Sequence, residues 1–107
     1  SQFLKTLREN YNIFIISNTT IEHVERLKKT FSFFKHIDGV ITSQMAGFHK
    51  PHHKIFKFAL LKSGASVETS VFVDDSIVNV SAAEQLGFTV HHYSDFGDFE
   101  TFIAPYL

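Results

Sequence analysis

The sequence predicts an α/β fold, specifically a three-layer α/β/α sandwich whose strands run parallel. Short apolar runs alternate with amphipathic segments of about ten residues, which is the pattern of strands connected by helices. The run Ile13-Phe14-Ile15-Ile16 is apolar throughout, as expected for a strand that is buried on both faces. We expect all 107 residues to form one partial domain.

The individual elements are predicted from apolar periodicity and from residues that begin or end helices. Thr19 and Glu22 have capping-box spacing, and Asp98 is expected to cap a last helical turn. Pro51 suits the first residue of a helix, and Gly64 suits a helix C-terminus. In chain order we predict helix 3–10, strand 13–16, a helix opened by Thr19, strand 39–42, a loop through Gly47, a helix from Pro51 to Gly64, strand 70–73, helix 77–86, strand 88–92 and a final turn toward Ile103.

Composition excludes several classes of protein. A hydrophobic content of 44% with 20% charged residues is typical of globular chains and argues against disorder. The formal net charge of −1 argues against nucleic acid as a partner. Cysteine is absent, which excludes disulfides and thiolate metal sites and fits a cytoplasmic protein. No apolar run approaches the ~20 residues that span a bilayer, so we expect no membrane partner.

Three groups of polar residues follow predicted strands. The carboxyl ends of parallel strands form the edge at which open α/β sheets bind ligands. We therefore expect these groups to converge at one edge of the sheet. They are Ser17-Asn18, Lys50 and Asp74-Asp75.

The acid pair Asp74-Asp75 is the strongest of these signals. Two adjacent carboxylates at the end of a buried strand repel each other and are costly to desolvate, so a cation should lie beside them. Mg²⁺ and Lys50 are the candidates, and Mg²⁺ commonly takes one or two carboxylates together with phosphate oxygens. An exposed Asp-Asp turn and a solvated lysine are the ordinary alternatives.

Ser17 is a candidate phosphate ligand. Its hydroxyl can donate a hydrogen bond, while the free N–H groups of the next helix face the same anion. The alternative is an ordinary turn residue ahead of a helix.

Two histidine clusters are also present. A zinc site would need two histidines on one helix face and a third ligand. His49 precedes the helix-opening proline, and the neighbouring strand residues His91 and His92 point to opposite faces. We interpret the clustered histidines as surface or loop residues: His49, His52, His53, His91 and His92.

The order and spacing of the motifs over nearly the whole chain resemble the haloacid dehalogenase (HAD) superfamily, and most closely its phosphatase-like members with an inserted helical cap. The resemblance implies a Rossmann-like (HAD-like) parallel sheet and a hydrolase that uses Mg²⁺. The residues that carry it are the strand end at Ser17-Asn18, the stretch from Gly47 to Pro51, and Val-Phe-Val-Asp74-Asp75-Ser76 followed by Asn79, Ala82-Ala83 and Gly87.

The resemblance also implies a role for each matching residue. Ser17, helped by Asn18, would bind the transferring phosphoryl group, and Lys50 would neutralise charge on the nucleophile and the phosphoryl oxygens. Around the metal, the resemblance implies Asp75 as the magnesium ligand and Asp74 as an auxiliary ligand or supporting acid. Asn79 stands where many members have an aspartate, and its implied role is to hold metal-bound water.

The sequence departs from the family in its first motif. An Asp-x-Asp-x-Thr-like stretch normally supplies the nucleophilic aspartate and the general acid, and no residues before Ser17 match it. The cap is absent as well. We therefore expect the C-terminal part of such an enzyme, with an incomplete sheet that lacks its first central strand. A missing N-terminal segment or a second chain would pair with the strand edges left open, or the remaining strands close the gap.

We expect the parent enzyme to hydrolyse a phosphate monoester of a small metabolite through an aspartyl-phosphate, with Ser17, Asn18 and Lys50 as its catalytic and substrate-binding residues. The isolated chain should lack this activity, because covalent catalysis needs the missing aspartate. The alternative is a non-catalytic HAD-like binding module. A receiver domain also combines an acid pair, a hydroxyl and a lysine, but its lysine should follow the acids, and here Lys50 precedes them.

Overall fold

A computed structural model describes residues 2–107, in which short strands alternate with helices. The strands are β1 (Phe14–Ser17), β2 (Gly39–Thr42), β3 (Val71–Asp74) and β4 (Thr89–His92). The helices are α1 (Gln2–Arg8), α2 (Ile21–Thr30), α3 (Ser43–Ala46), α4 (His53–Ser63), α5 (Ile77–Gln85) and α6 (Phe96–Ile103). Short 3₁₀ helices lie at Ser32–His36, Val67–Thr69 and Ala104–Tyr106.

Both strand pairs are parallel, which confirms the predicted α/β class. β1 pairs with β2, placing Ser17 opposite Thr42, and β3 pairs with β4, placing Asp74 opposite His92. Within residues 2–107 these pairs are two separate two-stranded sheets, so each strand has a single neighbour. The sheet is incomplete, as predicted.

The chain divides into two compact units, which we call the N-terminal unit (Ser1–His49) and the C-terminal unit (Lys50–Leu107). Each unit contains one strand pair and the helices that accompany it. The sequence predicts that both units belong to one partial domain, and this stays a prediction.

The N-terminal unit has a small core in which polar side chains take part. Val24 of α2 and Ile41 of β2 are its buried hydrophobic residues. Three polar residues are buried with them in this unit, namely His36, Thr42 and Ser43.

Aromatic rings dominate the core of the C-terminal unit. Phe56 of α4 is fully buried, and its ring centroid lies 5.1 Å from that of Phe72 and 6.0 Å from that of Phe88 in edge-on arrangements. Such geometries are favourable beyond the area they bury. The other buried hydrophobic residues of this unit are Ile55, Ala59, Val80, Ala83 and Ile103.

Helix α2 begins one residue later than predicted. Its N-cap is Thr20, whose Oγ1 accepts a hydrogen bond from the N–H of His23 at 3.2 Å. The capping box assigned to Thr19 and Glu22 is therefore wrong. Thr19 instead uses its main-chain carbonyl to accept hydrogen bonds from residues of α3, described below.

Helix α4 also begins later than predicted, at His53 rather than Pro51. His52 is the N-cap, because its Nδ1 accepts a hydrogen bond from the N–H of Lys54 at 3.1 Å. The predicted C-terminus is confirmed: Gly64 adopts the left-handed conformation with φ of 71°, and its N–H donates to the carbonyl of Leu60.

The last helix is longer than the single turn predicted. Asp95 rather than Asp98 is its N-cap, since Asp95 Oδ1 accepts a hydrogen bond from the N–H of Asp98 at 2.8 Å. The four-residue helix α3 replaces part of the loop expected before Gly47. None of the helices in residues 2–107 has the length and apolar character needed to cross a bilayer.

Candidate functional site

A partly buried ion pair joins Lys50 to Asp74 in the C-terminal unit. Asp74 is the last residue of β3, and its Oδ2 accepts a hydrogen bond from Lys50 Nζ at 2.9 Å. The two side chains are only 14% and 9% exposed, respectively. Of the two cations expected beside the acid pair, the lysine is therefore in direct contact with Asp74.

Asp74 accepts two further hydrogen bonds. The N–H of Ser76 donates to Oδ1 at 2.8 Å, and Asn79 Nδ2 donates to Oδ2 at 3.2 Å. Burial raises the pKa of Asp74, but the hydrogen bonds from Ser76, Lys50 and Asn79, together with the charge of Lys50, outweigh it and leave the pKa lowered. Asp74 is thus held as a carboxylate by the protein itself.

Asp75 differs from Asp74 in its exposure and in the contacts of its carboxylate. It is exposed, and its carboxylate has no hydrogen-bond or ion-pair partner among residues 2–107. Its main-chain carbonyl lies 3.0 Å from Nε2 of His92, which must donate because a carbonyl only accepts. The Asp75 backbone is therefore tied to the end of β4, while its carboxylate is available for an external cation.

In the N-terminal unit, Ser17 is the last residue of β1 and is half-buried. Its hydroxyl makes no hydrogen bond with residues 2–107, so it can donate to a ligand. Its carbonyl accepts a hydrogen bond from the N–H of Thr19 at 3.0 Å, which forms a tight turn around Asn18.

The N-terminus of α2 is less open than the sequence suggested. The N–H of Ile21 donates to Gln44 Oε1 at 2.7 Å, and the N–H of His23 donates to Thr20 Oγ1. The expectation that the first N–H groups of this helix are free to face an anion is wrong for these two residues. The N–H of Glu22 has no partner in the described chain.

The histidines behave largely as predicted. His49, His52, His53 and His92 are exposed, and His91 and His92 do point to opposite faces of β4. His91 is mostly buried instead, since its ring stacks on Phe102 at 4.4 Å and its Nε2 lies 3.2 Å from Asp98 Oδ2. Residues 2–107 contain no group of three or more His, Asp or Glu side chains arranged to hold a metal ion.

Two residues hold the loops that carry Ser17 and Asp75, namely Gln44, which was not predicted, and His92, which was predicted only as a surface or loop residue. Both lie at or just after the carboxyl end of the second strand in their pair. That position was a usable signal, because strand ends share an edge of the sheet with their neighbours. The structure thus brings together Lys50, Asp74 and Asn79, and it places Ser17 and Asn18 in the N-terminal unit.

A family model described as haloacid dehalogenase-like hydrolase matches residues 1–87. The chain belongs to this family. The match covers the Ser17 strand end, Lys50 and the acid pair, which carried the resemblance in the sequence.

Curated relatives include phosphatases. The chain is 33% identical over 89 residues to a drimenol cyclase of Aspergillus calidoustus, and 34% identical over 74 residues to a glyceraldehyde 3-phosphate phosphatase of Methanocaldococcus jannaschii. These alignments cover 79% and 68% of this chain, but only 17% and 32% of the relatives. The chain thus spans less than half the length of either relative.

Solved structures of the family share the fold. A HAD family enzyme of Bacteroides thetaiotaomicron, crystallised with magnesium and inorganic phosphate, superposes with a TM-score of 0.77 at 27% identity. The superposition covers 92% of this chain and 54% of that enzyme. The predicted HAD-like fold class is therefore confirmed.

Proposed function

We propose that this chain supplies the phosphate- and magnesium-binding part of a phosphatase that hydrolyses phosphate monoesters through an aspartyl-phosphate. The observation that carries the proposal is the difference in contacts between the two acids, Asp74 and Asp75. Asp74 is neutralised by Lys50, whereas Asp75 presents an exposed carboxylate without a protein partner. The two acids are therefore suited to different tasks, Asp74 to a contact within the protein and Asp75 to an external cation.

The loop at Asp74-Asp75 fits Mg²⁺, although its residues alone do not form a complete metal site. Mg²⁺ prefers oxygen ligands and commonly keeps several waters beside one or two carboxylates. Asp75 offers such a carboxylate, while the oxygens of Asp74 already accept three hydrogen bonds. We therefore assign Asp75 as the magnesium ligand and Asp74 as the acid that supports it. When bound, the ion neutralises charge on the phosphoryl oxygens.

Lys50 has a double role in this proposal. Its ammonium group neutralises the negative charge of Asp74, which would otherwise repel an incoming phosphate. It also places a positive charge beside the loop at Asp74-Asp75. Asn79 donates to the same oxygen of Asp74 and keeps that carboxylate turned toward Lys50. The role in holding metal-bound water stays a prediction for Asn79.

Ser17 and Asn18 would bind the phosphoryl group. The Ser17 hydroxyl has no competing partner in residues 2–107, so donating a hydrogen bond to a phosphoryl oxygen breaks no existing contact. The substrate class, a small phosphorylated metabolite, is supported by the glyceraldehyde 3-phosphate phosphatase among the relatives. The nucleophilic aspartate would come from a segment other than residues 1–107, as no match to its motif precedes Ser17.

Titration of the isotope-labelled chain with MgCl₂, followed by NMR, tests the metal assignment. We expect saturable shifts of the Asp75 and Ser76 amides, and we expect Asp75→Asn to abolish them because it removes the charged ligand. Glu84→Gln, which changes an exposed acid on α5, is the matched control and should bind as the wild type does. Equal shifts in the wild type and Asp75→Asn would refute the assignment.

The same protein should show no turnover of an aryl phosphate, with or without Mg²⁺, because the covalent step lacks its nucleophile. Steady turnover that Asp75→Ala abolishes would defeat this expectation. Phosphate binding that is indifferent to Mg²⁺ and to Asp75 would instead favour a non-catalytic binding module.

A further inference from the structure

The loop that follows β1 is fastened by residues from the start of α3. The carbonyl of Thr19 accepts hydrogen bonds from the N–H of Gln44 at 3.3 Å and from Ser43 Oγ at 3.2 Å. The side chain of Gln44 returns the contact, because its Oε1 accepts from the N–H of Ile21 at 2.7 Å. Three hydrogen bonds thus hold Thr19 and Ile21, which lie in the segment that follows Ser17.

Each of these bonds spans more than twenty residues of sequence, so they fix the loop through tertiary structure and not through local turn preference. Ser43 is buried at 6% exposure, and its neighbour Thr42 at 1%. The residues at the start of α3 that make these hydrogen bonds are therefore anchored beside the core of the N-terminal unit. Gln44 itself is exposed, which means that it can be replaced without disturbing the core.

We propose that Gln44 is a positioning residue for phosphate binding at Ser17. Its Oε1 accepts a hydrogen bond from the N–H of Ile21, the first residue of α2, and its main-chain N–H donates to the carbonyl of Thr19, whose own N–H donates to the carbonyl of Ser17. These contacts restrain the backbone that follows Ser17, and the positioning role acts through that backbone. This inference rests on the proposed role of Ser17 as a phosphate ligand.

The test compares two substitutions of Gln44. Gln44→Met keeps the length of the side chain and removes the acceptor, while Gln44→Glu keeps an acceptor. We expect Gln44→Met to accelerate hydrogen exchange of the Ile21 amide by about three- to tenfold, as for loss of one hydrogen bond, and Gln44→Glu to restore slow exchange. The Ile41 amide in β2 should be unchanged, which separates local loosening from global destabilisation.

The second readout is inorganic phosphate, titrated against the amides of Ser17 and Asn18 by NMR. Gln44→Met should weaken phosphate binding several-fold, whereas Gln85→Met, an exposed glutamine on α5, should leave it unchanged. If phosphate shifts the wild-type amides and binds Gln44→Met with unaltered affinity, only the positioning role of Gln44 is overturned. Absence of any phosphate-induced shift in the wild type would overturn the phosphate-binding role of Ser17 and the inference with it. Unchanged Ile21 exchange in Gln44→Met would also overturn the inference.

Discussion

The two units use the same local design on different cores. In each, the first strand of a parallel pair ends in a candidate functional residue, Ser17 or Asp74, and the second strand leads to a side chain that ties down the loop. The N-terminal unit, however, buries only two hydrophobic residues beside three polar ones, whereas the C-terminal unit is built around an aromatic cluster. A loop held by a side chain from the second strand of the pair, or from just after it, thus occurs beside both kinds of core.

Charge separates the units as well. The N-terminal unit contains six Lys or Arg against four Asp or Glu, and the C-terminal unit contains four against seven. The overall charge of −1 conceals this asymmetry. A positive unit that holds the candidate phosphate ligand, and a negative unit that holds the candidate cation ligand, match the charges of the ligands proposed for them.

The largest expected effect concerns the cores. Phe56→Ala should lower the free energy of unfolding by about 4 kcal/mol, because it removes a fully buried ring, whereas Val24→Ala in the N-terminal unit should cost only about 2 kcal/mol. Denaturant unfolding followed by circular dichroism measures both. Leu61→Ala, at a position 81% exposed, is the control and should change stability by less than about 0.5 kcal/mol. Equal losses for Phe56 and Val24 would remove the contrast between the cores.

A somewhat smaller effect should follow from breaking the Lys50–Asp74 pair. Lys50→Ala leaves a buried carboxylate with only its two neutral donors, and we expect a loss of about 2–3 kcal/mol. Lys57→Ala, which removes an exposed lysine from α4, is the matched control. If both variants unfold at the same denaturant concentration, the pair contributes nothing and Asp74 needs no cation.

The smallest expected effect is a difference in how the units respond to pH. Burial, and then the nearby charges of Lys35, Lys5 and Arg8, lower the pKa of His36. The unfolded chain therefore takes up this proton first, and the N-terminal unit should lose stability as pH falls below about 6.5. The lowered pKa of Asp74 acts in the same direction but at lower pH, because its contribution is retained until pH falls below about 4.

Amide exchange measured for each unit as a function of pH checks this order of events. The N-terminal unit should loosen first, and His36→Leu should remove its sensitivity near pH 6.5. Asp74→Asn should lower the stability of the C-terminal unit at neutral pH and flatten its loss in acid. Simultaneous loosening of both units in the wild type would contradict the assignment to separate groups.

The strands and the acid pair were predictable because their signals are local. Short runs rich in apolar residues, bounded by helix and turn signals, identify β1 to β4 to within a residue or so, and the period of two along β3 places Asp74 on the same side as the buried Phe72. Asp75 lies just beyond the end of β3 and is exposed.

Helix starts and loop anchors were harder to predict, for a different physical reason. Thr19 and Thr20 are equally good caps by composition, and in the structure Thr20 is the cap while Gln44, which lies far along the chain, accepts a hydrogen bond from the N–H of Ile21. Helix α3 is too short to show a period. The same limit applies to His92, whose contact with Asp75 depends on strand pairing.

The open strand edges have a consequence for handling the protein. Each strand of residues 2–107 has one neighbour, so four rows of backbone donors and acceptors face away from a partner strand. Such edges recruit other strands, and aggregation is the usual result unless charges intervene. Within β1 to β4 the only acidic or basic residue, histidine aside, is Asp74, and Lys50 neutralises it. Solubility should therefore fall steeply with protein concentration, and a peptide able to pair with β1 or β3 should raise it.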